Sequence, residues 1–377
     1  MSMTAHRVRL SAFRLTLVLF PSIATAQALV ARASSPPQDS IALKLANAQR
    51  KAAARAAEAA PFYLAEQPLE MKLTTNMRRI RSDKGDKAPW RSATVSFSDA
   101  AGKEISIPAT IRTRGIWRLK NCEIPPIRLN FKSESTKGTL LQGINKPKLV
   151  SICQNNDDYE RFITEEMQLY RIYGLLTPAS HRARLLRMTY ADSASGKVLA
   201  TRMAIMLEEP EVLAARLGGS LVDIQGALPR DLVTSQDVLA AVFQYLIGNT
   251  DWSTYALHNM ELVRDADGDH LPIPYDFDFS GAINAPYATV DPKIPVQHVR
   301  DRFFKGYCHE PEDFNKVFSL FNEKKSAIYA LYSDSIGSRL PKKTVDETLK
   351  YFDAFYETIN DPRRAKHQIM DNCLKYD

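Results

Sequence analysis

The chain has 377 residues, 45% of them hydrophobic and 25% charged, with a formal net charge of +7. That composition excludes a disordered or collagen-like chain and supplies enough apolar mass for two compact units or one large bilobal one. Lys and Arg are scattered along the chain, so the modest positive charge does not argue for nucleic acid as a partner.

Arg7, Arg9 and Arg14 precede an apolar run at 15–23 and then Ala24-Thr25-Ala26. Basic, apolar, small-residue order reads as a secretory signal removed after Ala26; the run is too short for a membrane anchor and contains Pro21. Losing residues 1–26, which carry three Arg and no acid, takes the formal charge from +7 to +4. No later stretch has spanning length, so the mature chain is expected to be periplasmic or secreted, without a transmembrane segment. Cys122, Cys153, Cys308 and Cys373 agree with export, and none stands in a C-x-x-C pair. Cys122 with Cys153 and Cys308 with Cys373 is the favoured pairing among three, against the alternative of four buried thiols.

Residues 27–60 read as a linker leading into an Ala-rich helix with little apolar face, treated as a spacer. Residues 61–207 read as a sheet-rich unit containing one helix. Period-two runs at Leu69, Met71 and Leu73, at Val95 and Phe97, at Ile105, Ile107 and Ile111, and at Ile127, Leu129 and Phe131 imply an antiparallel meander. A helix follows over 157–175, capped by Asn156 or Asp157 and stopped by Gly174 and Pro178, and then a strand pair, 184–190 with 201–207. Residues 208–377 read as mainly helical. The helical run 237–247, with a capping signal at Thr234 to Asp237, ends at Gly248. Strands 260–263 and 271–275 form a hairpin about the 265–269 turn. A proline-bearing loop at 284–307 precedes helices, one with Thr344 and Glu347 as a capping box.

Candidate chemistry gathers at this hairpin. Asp251 precedes its first strand, Asn259 opens that strand, and Asp276 and Asp278 follow the second. Oxygen-bearing side chains converging from separate positions suit a hard cation such as Mg²⁺, which usually shares itself with a phosphate. The plainer alternative, aspartates as turn formers and amide caps, fits the 265–269 turn best, since it lacks the terminal Glu of a calcium loop. A two-carboxylate hydrolase built on Asp251 and Asp276 is a third reading.

In GNTDW, HNMEL and IPYDFDFSG the residue order resembles the catalytic half of the spore-coat CotH family of atypical kinases, and more distantly the HipA and phosphoinositide-kinase group. The resemblance implies an α+β, bilobal, atypical protein-kinase-like fold, with an antiparallel-sheet-rich N-lobe at 61–207 and a mainly helical C-lobe at 208–377. It implies divalent-metal-dependent transfer of a phosphoryl or nucleotidyl group to a protein or other envelope or extracellular acceptor, using ATP with Mg²⁺ or Mn²⁺. Asp251 would be catalytic, and Asn259, Asp276 and Asp278 would hold the metal. Nucleotide contacts would come from the turn Arg112, Arg114, Gly115 and Arg118, from Arg128 and Lys148, and from Glu165 or Glu166 paired with the phosphate-binding cation. Glu208 would lie at the hinge between lobes, and His258 reads as a packed neighbour of Asn259. Two features depart from the family. Asp251 and Asn259 are eight residues apart, against about five in kinases, and the 112–118 turn is poor in glycine. Both favour a second reading, a non-catalytic envelope binding protein with a degenerate kinase-like fold, as does the scarcity of ATP outside the cytoplasm.

Overall fold

The computed structural model describes residues 37–83, 88–115 and 117–376; the expected signal segment, 1–26, lies outside them. Residues 47–377 form one compact unit, which carries the fold described below. Helix α1 (Pro37–Leu64) ends with Ala59, Phe62 and Tyr63 buried in the core of this unit, so its last turns are more than a spacer.

Seven strands close into a barrel. In chain order its elements are β1 (Leu69–Thr75), α2 (Met77–Ser82), β2 (Arg91–Ser98), β3 (Glu104–Thr113), α3 (Trp117–Asn121), β4 (Ile127–Phe131), α4 (Ser133–Thr136), β5 (Lys148–Ser151), α5 (Asp157–Leu176), β6 (Ala183–Asp192) and β7 (Val198–Leu207). Strands β1 to β4 follow one another as the expected antiparallel meander, β5 extends it, and β7 and then β6 complete the circuit. The closing pair is parallel: β1 lies beside β6 from Leu69 opposite Leu186 to Thr75 opposite Asp192. Alternation sets the two faces. Ile107, Ile111, Leu129 and Leu149 are buried in the barrel, while Arg112, Arg128 and Lys148 occupy the other face of β3, β4 and β5. Pairing aligns these three cations in one row, Arg112 opposite Arg128 and Arg128 opposite Lys148.

Beyond the barrel come α6 (Pro210–Arg216), β8 (Ser220–Val222), α7 (Thr234–Ile247), β9 (Met260–Arg264), β10 (His270–Pro274), α8 (Pro311–Ala330), α9 (Lys342–Ile359) and α10 (Pro362–Ala365). Strands β9 and β10 form the expected hairpin, with β8 on the outer side of β9. Every residue of α7 from Gln236 to Ile247 is buried, as befits a helix apolar on all sides at the centre of a domain. One continuous hydrophobic core runs from Phe62 through the barrel and α5 to α7, α8 and α9.

These observations correct the expected fold. The chain does not form a bilobal kinase-like structure with an open antiparallel sheet; it forms a closed, mixed seven-stranded barrel with a small second sheet and packed helices. The cause is the β1–β6 pairing, a contact across more than a hundred residues that leaves no local trace. Two expected caps are also replaced. The Asp237 carboxylate accepts no backbone amide of α7 and instead takes a hydrogen bond from the buried ring of His309, at 2.8 Å. Helix α9 begins earlier than expected, after Pro341, and Glu347 pairs with Lys343 one turn back, at 3.9 Å.

The pairing of both disulfides is as expected, Cys122–Cys153 and Cys308–Cys373. Their loops of 31 and 65 residues correspond, in the chain-entropy account, to about 3.7 and about 4.3 kcal/mol of stabilisation. The first also ties α3, and with it Arg118, to the end of β5. Two disulfides, and no described helix long and apolar enough to cross a membrane, are compatible with an exported protein.

Candidate functional site

Helix α7 cannot continue past Gly248, which takes a left-handed conformation at φ 65° that L side chains adopt only with strain. A Cβ there would also lie 2.0 Å from the hydroxyl oxygen of Tyr351. The chain reverses and Asn249 closes a short turn, its side-chain oxygen accepting from the Asp251 amide at 3.0 Å. The Lys305 ammonium donates to the carbonyls of Thr250 and Trp252, at 2.7 and 3.0 Å, and pins the loop from the far side. The segment after β10 docks on the same helix end, where the Gly281 and Ala282 amides reach the Gly248 and Ile247 carbonyls. Asp251 and the Asp276–Asp278 stretch are therefore both anchored to one terminus.

The long spacing between Asp251 and Asn259 is taken up locally. Ser253 and His258 pair as an antiparallel bridge through two 2.9 Å backbone hydrogen bonds, so the intervening residues loop out. Asn259 is returned to Asp251, and its amide nitrogen donates to the Asp251 carbonyl at 2.8 Å and to Asp251 Oδ2 at 3.1 Å. This turns Asn259 Oδ1 away from Asp251. The His258 ring meets Asp251 Oδ1 at 2.8 Å, and that bond raises the His258 pKa. Leu257, Asn259 and Asp276 all have positive φ, at 48°, 52° and 63°. Asn and Asp tolerate this region, but for leucine it is a strained state of the sort found at functional sites.

Glu166, Asp276 and Asp278 make a second cluster. Asp276 is held by its backbone amide, which donates to the Tyr170 hydroxyl at 2.9 Å. Glu166 is wholly buried, and neither of its carboxylate oxygens has a hydrogen bond of ordinary geometry, the Phe277 backbone amide lying near enough only to oppose its shift weakly. Asp278 Oδ2 has no hydrogen bond of ordinary geometry and faces Arg118 Nη1 at 3.8 Å, while the Asp278 carboxyl as a whole lies within reach of the Tyr287 hydroxyl and of Asp276. Burial, reinforced by mutual repulsion, raises both carboxyls: Glu166 goes well above the usual range, and Asp278, with Asp276 as its chief like-charged neighbour, goes up to about 7.

Cations close the other side. Arg118, held through its guanidinium on the Ser151 carbonyl, has its charge favoured chiefly by Asp278. Burial opposes the charge on Arg114, and Asp276 is the chief carboxylate favouring it. Lys148 pairs with Glu261 at 3.3 Å and lies 4.0 Å from the centre of the Tyr275 ring, with burial lowering its pKa. The buried Nε atoms of Arg114, Arg118 and Arg128 have no hydrogen-bond partner.

The structure thus brings Arg114, Arg118, Arg128, Lys148, Glu166, Asp276 and Asp278 into one neighbourhood, with Asp251 and Asn259 at its edge. Other candidates stand elsewhere. Arg112 lies over the Trp90 ring, 4.9 Å from its centre. Gly115, with φ 78°, is exposed, and nothing lies within 4 Å of where its Cβ would be. The buried Glu208 carboxylate is taken by Arg216 at 3.0 and 3.2 Å. Glu165 points toward the C-terminal helices and pairs with Arg161 at 3.3 Å. The partner of Lys148 is Glu261 and not a carboxylate of α5; period two puts Glu261 on the same face of β9 as Asn259, a signal the sequence reading passed over. Tyr170, which orients Asp276, had no such signal.

Oxygen donors and guanidinium forks in one place are the chemistry that a divalent cation and phosphates require. Among the described residues, no three His, Cys, Asp or Glu side chains form a ready cage. Mg²⁺ is ordinarily held by one or two carboxylates together with substrate phosphates, so the donor set fits it in that mode. No family model matches the chain, and no curated protein is detectably similar to it.

Glu165, away from the cluster, gives the fold a testable pH dependence. Burial pushes its carboxyl up to about 8, against the pull of Arg161. The folded chain then keeps a proton that the unfolded chain loses near pH 4.3. The resulting stability is complete below that pH and is lost as pH rises toward 8. Urea midpoints at pH 5, 6.5 and 8 should fall with pH in the parent and fall less in Glu165→Gln; parallel lines would show Glu165 ionised throughout.

Proposed function

We propose that this chain is an exported, divalent-cation-dependent phosphotransferase acting on a hydroxyl-bearing envelope or extracellular acceptor. The observation that carries the reading is an acidic cluster, Glu166, Asp276 and Asp278, with three buried oxygens that have no hydrogen bond of ordinary geometry, set among Arg114, Arg118, Arg128 and Lys148 beside a fixed Asp251. The resemblance to the CotH family supports it at the level of residue order around Asp251, Asn259 and Asp276, and no further.

One or two carboxylates of Asp276, Asp278 and Glu166, with Asn259 Oδ1 and the donor phosphates, would hold Mg²⁺ or Mn²⁺. When bound, the ion would neutralise the donor phosphates and leave the transferred group more electrophilic. The chain's own part is to position and to stabilise charge. Guanidiniums of Arg114, Arg118 and Arg128 and the Lys148 ammonium donate to phosphate oxygens. Asp251, clamped by His258 and Asn259, orients the acceptor hydroxyl and takes its proton as the oxygen–phosphorus bond forms and the bond to the leaving nucleoside diphosphate breaks.

The test is transfer of labelled γ-phosphate from ATP, with Mn²⁺ present, to an envelope extract. Asp251→Asn should reduce labelling by a factor of about 10² to 10⁴ while nucleotide binding persists. Nucleotide binding without transfer in the parent would favour the binding-protein reading, and neither binding nor transfer would remove both.

A further inference from the structure

A cavity of about 250 Å³, which Asp251, Asp276 and Asp278 do not line, opens between the C-terminal half of α5 and residues 178–183. Arg171, Arg182 and Arg216 line it, and no described Asp or Glu does. Arg216 is fully engaged, bidentate on Glu208 and donating to the Pro178 and Ser180 carbonyls. Arg171 pairs with Asp334 at 2.5 Å and Gln168 at 2.7 Å, and Arg182, 4.0 Å from Glu208 and 3.5 Å from the Ala56 carbonyl, is the least committed of the three. Burial and the neighbouring charge of Arg216 both weigh against the charge on Arg182.

The cavity also holds a polar group without a partner. His181 is 4% exposed and lines the space, and neither ring nitrogen has a hydrogen bond of ordinary geometry. The Glu208 backbone is near enough to favour its charged form slightly, but burial prevails and holds the ring neutral. A neutral imidazole with a free nitrogen, enclosed by guanidiniums and by the apolar bodies of Met167 and Tyr170, is costly unless something completes it.

From this we infer that the cavity is a second binding site, for a small anion with an apolar or aromatic body, whose phosphate or carboxylate meets Arg171 and Arg182 and whose body packs beside the His181 ring. The inference does not depend on the phosphotransfer reading. Its position also couples it to the first site. Tyr170, on the cavity wall, accepts the Asp276 amide at 2.9 Å, and the His181 ring is 5.8 Å from that of Tyr275, over which Lys148 sits. A ligand here would stiffen the supports of Asp276 and Lys148 without touching either.

Calorimetric titration of the full chain with phenyl phosphate, benzoate and phenol tests this. Phenyl phosphate or benzoate should bind and phenol should not, with whichever anion binds more tightly naming the natural headgroup. Arg182→Gln and Arg171→Gln should each weaken binding by about tenfold, as expected for a lost charge-assisted fork, while Lys148→Ala, which reaches the cavity only through the Tyr275 ring, should weaken it far less. In the unaltered chain the bound anion should slow amide exchange across 178–183, which keeps the test open should a variant fail to fold. Equal binding of phenol, weakening by Lys148→Ala as large as by Arg182→Gln, or binding that leaves 178–183 unprotected would each overturn the inference. So would no binding by either anion.

Discussion

Glu166→Gln should leave the protein as stable as the parent at pH 5, make it more stable at pH 8, and weaken Mn²⁺–ATP binding by about ten- to a hundredfold. The first two outcomes follow from burial. Glu166 is inaccessible, has no well-formed hydrogen bond and stands beside Asp276 and Asp278, so its carboxyl is held protonated well above the ordinary range. A carboxamide of the same shape replaces the neutral acid at little cost and removes the penalty of ionising it as pH rises. The third outcome separates a ligand from a filler. A bound cation favours the ionised form that burial and the neighbouring carboxylates suppress, and glutamine cannot supply that charge. Nucleotide titrations and urea midpoints at both pH values read all three, and unchanged binding in the variant would assign Glu166 to packing alone.

Gly248→Ala is the second substitution with a large expected effect, a loss of about 2 to 5 kcal/mol in unfolding free energy. Two costs combine: roughly 1 to 2 kcal/mol for a left-handed alanine and about 1 to 3 kcal/mol for forcing a methyl into a packed site. Relief is difficult. The Tyr351 hydroxyl that the methyl would meet donates to the Arg300 carbonyl at 3.2 Å, and the Tyr351 ring is covered by Arg302, 3.7 Å from its centre. Because Gly248 also accepts the Gly281 amide, the strain reaches the loops carrying Asp251 and Asp278. Denaturant unfolding of the variant measures the cost, and a change below 1 kcal/mol would mean that the helix end relaxes freely.

What could be read from the sequence was what local chemistry determines. The hairpin about residues 265–269, helix α5 with Asn156 capping the Tyr159 amide at 3.1 Å, and the stop of α7 at Gly248 all follow from residue type and spacing. The barrel was not legible, because its closure depends on β1 finding β6, and nothing in Leu69–Thr75 distinguishes a strand at an open edge from one that closes a ring. The choice between Glu165 and Glu166 was also out of reach. Adjacent helical positions differ by about 100°, and only the packing of α5 decides which of the two faces Asp278. The spacing of Asp251 and Asn259 argued against a shared site, yet the Ser253–His258 bridge makes sequence distance a poor guide to separation in space.

The central claim is that oxygen ligands from α5, from the start of β9 and from the segment after β10 take up a divalent cation together with a nucleotide. Electron paramagnetic resonance of free Mn²⁺ measures this directly. With ATP present, one Mn²⁺ per chain should disappear from the free signal beyond the amount that ATP alone removes, and Asp276→Asn should restore it. An identical free-Mn²⁺ signal with and without the protein, at concentrations where the fold is intact, would contradict the account.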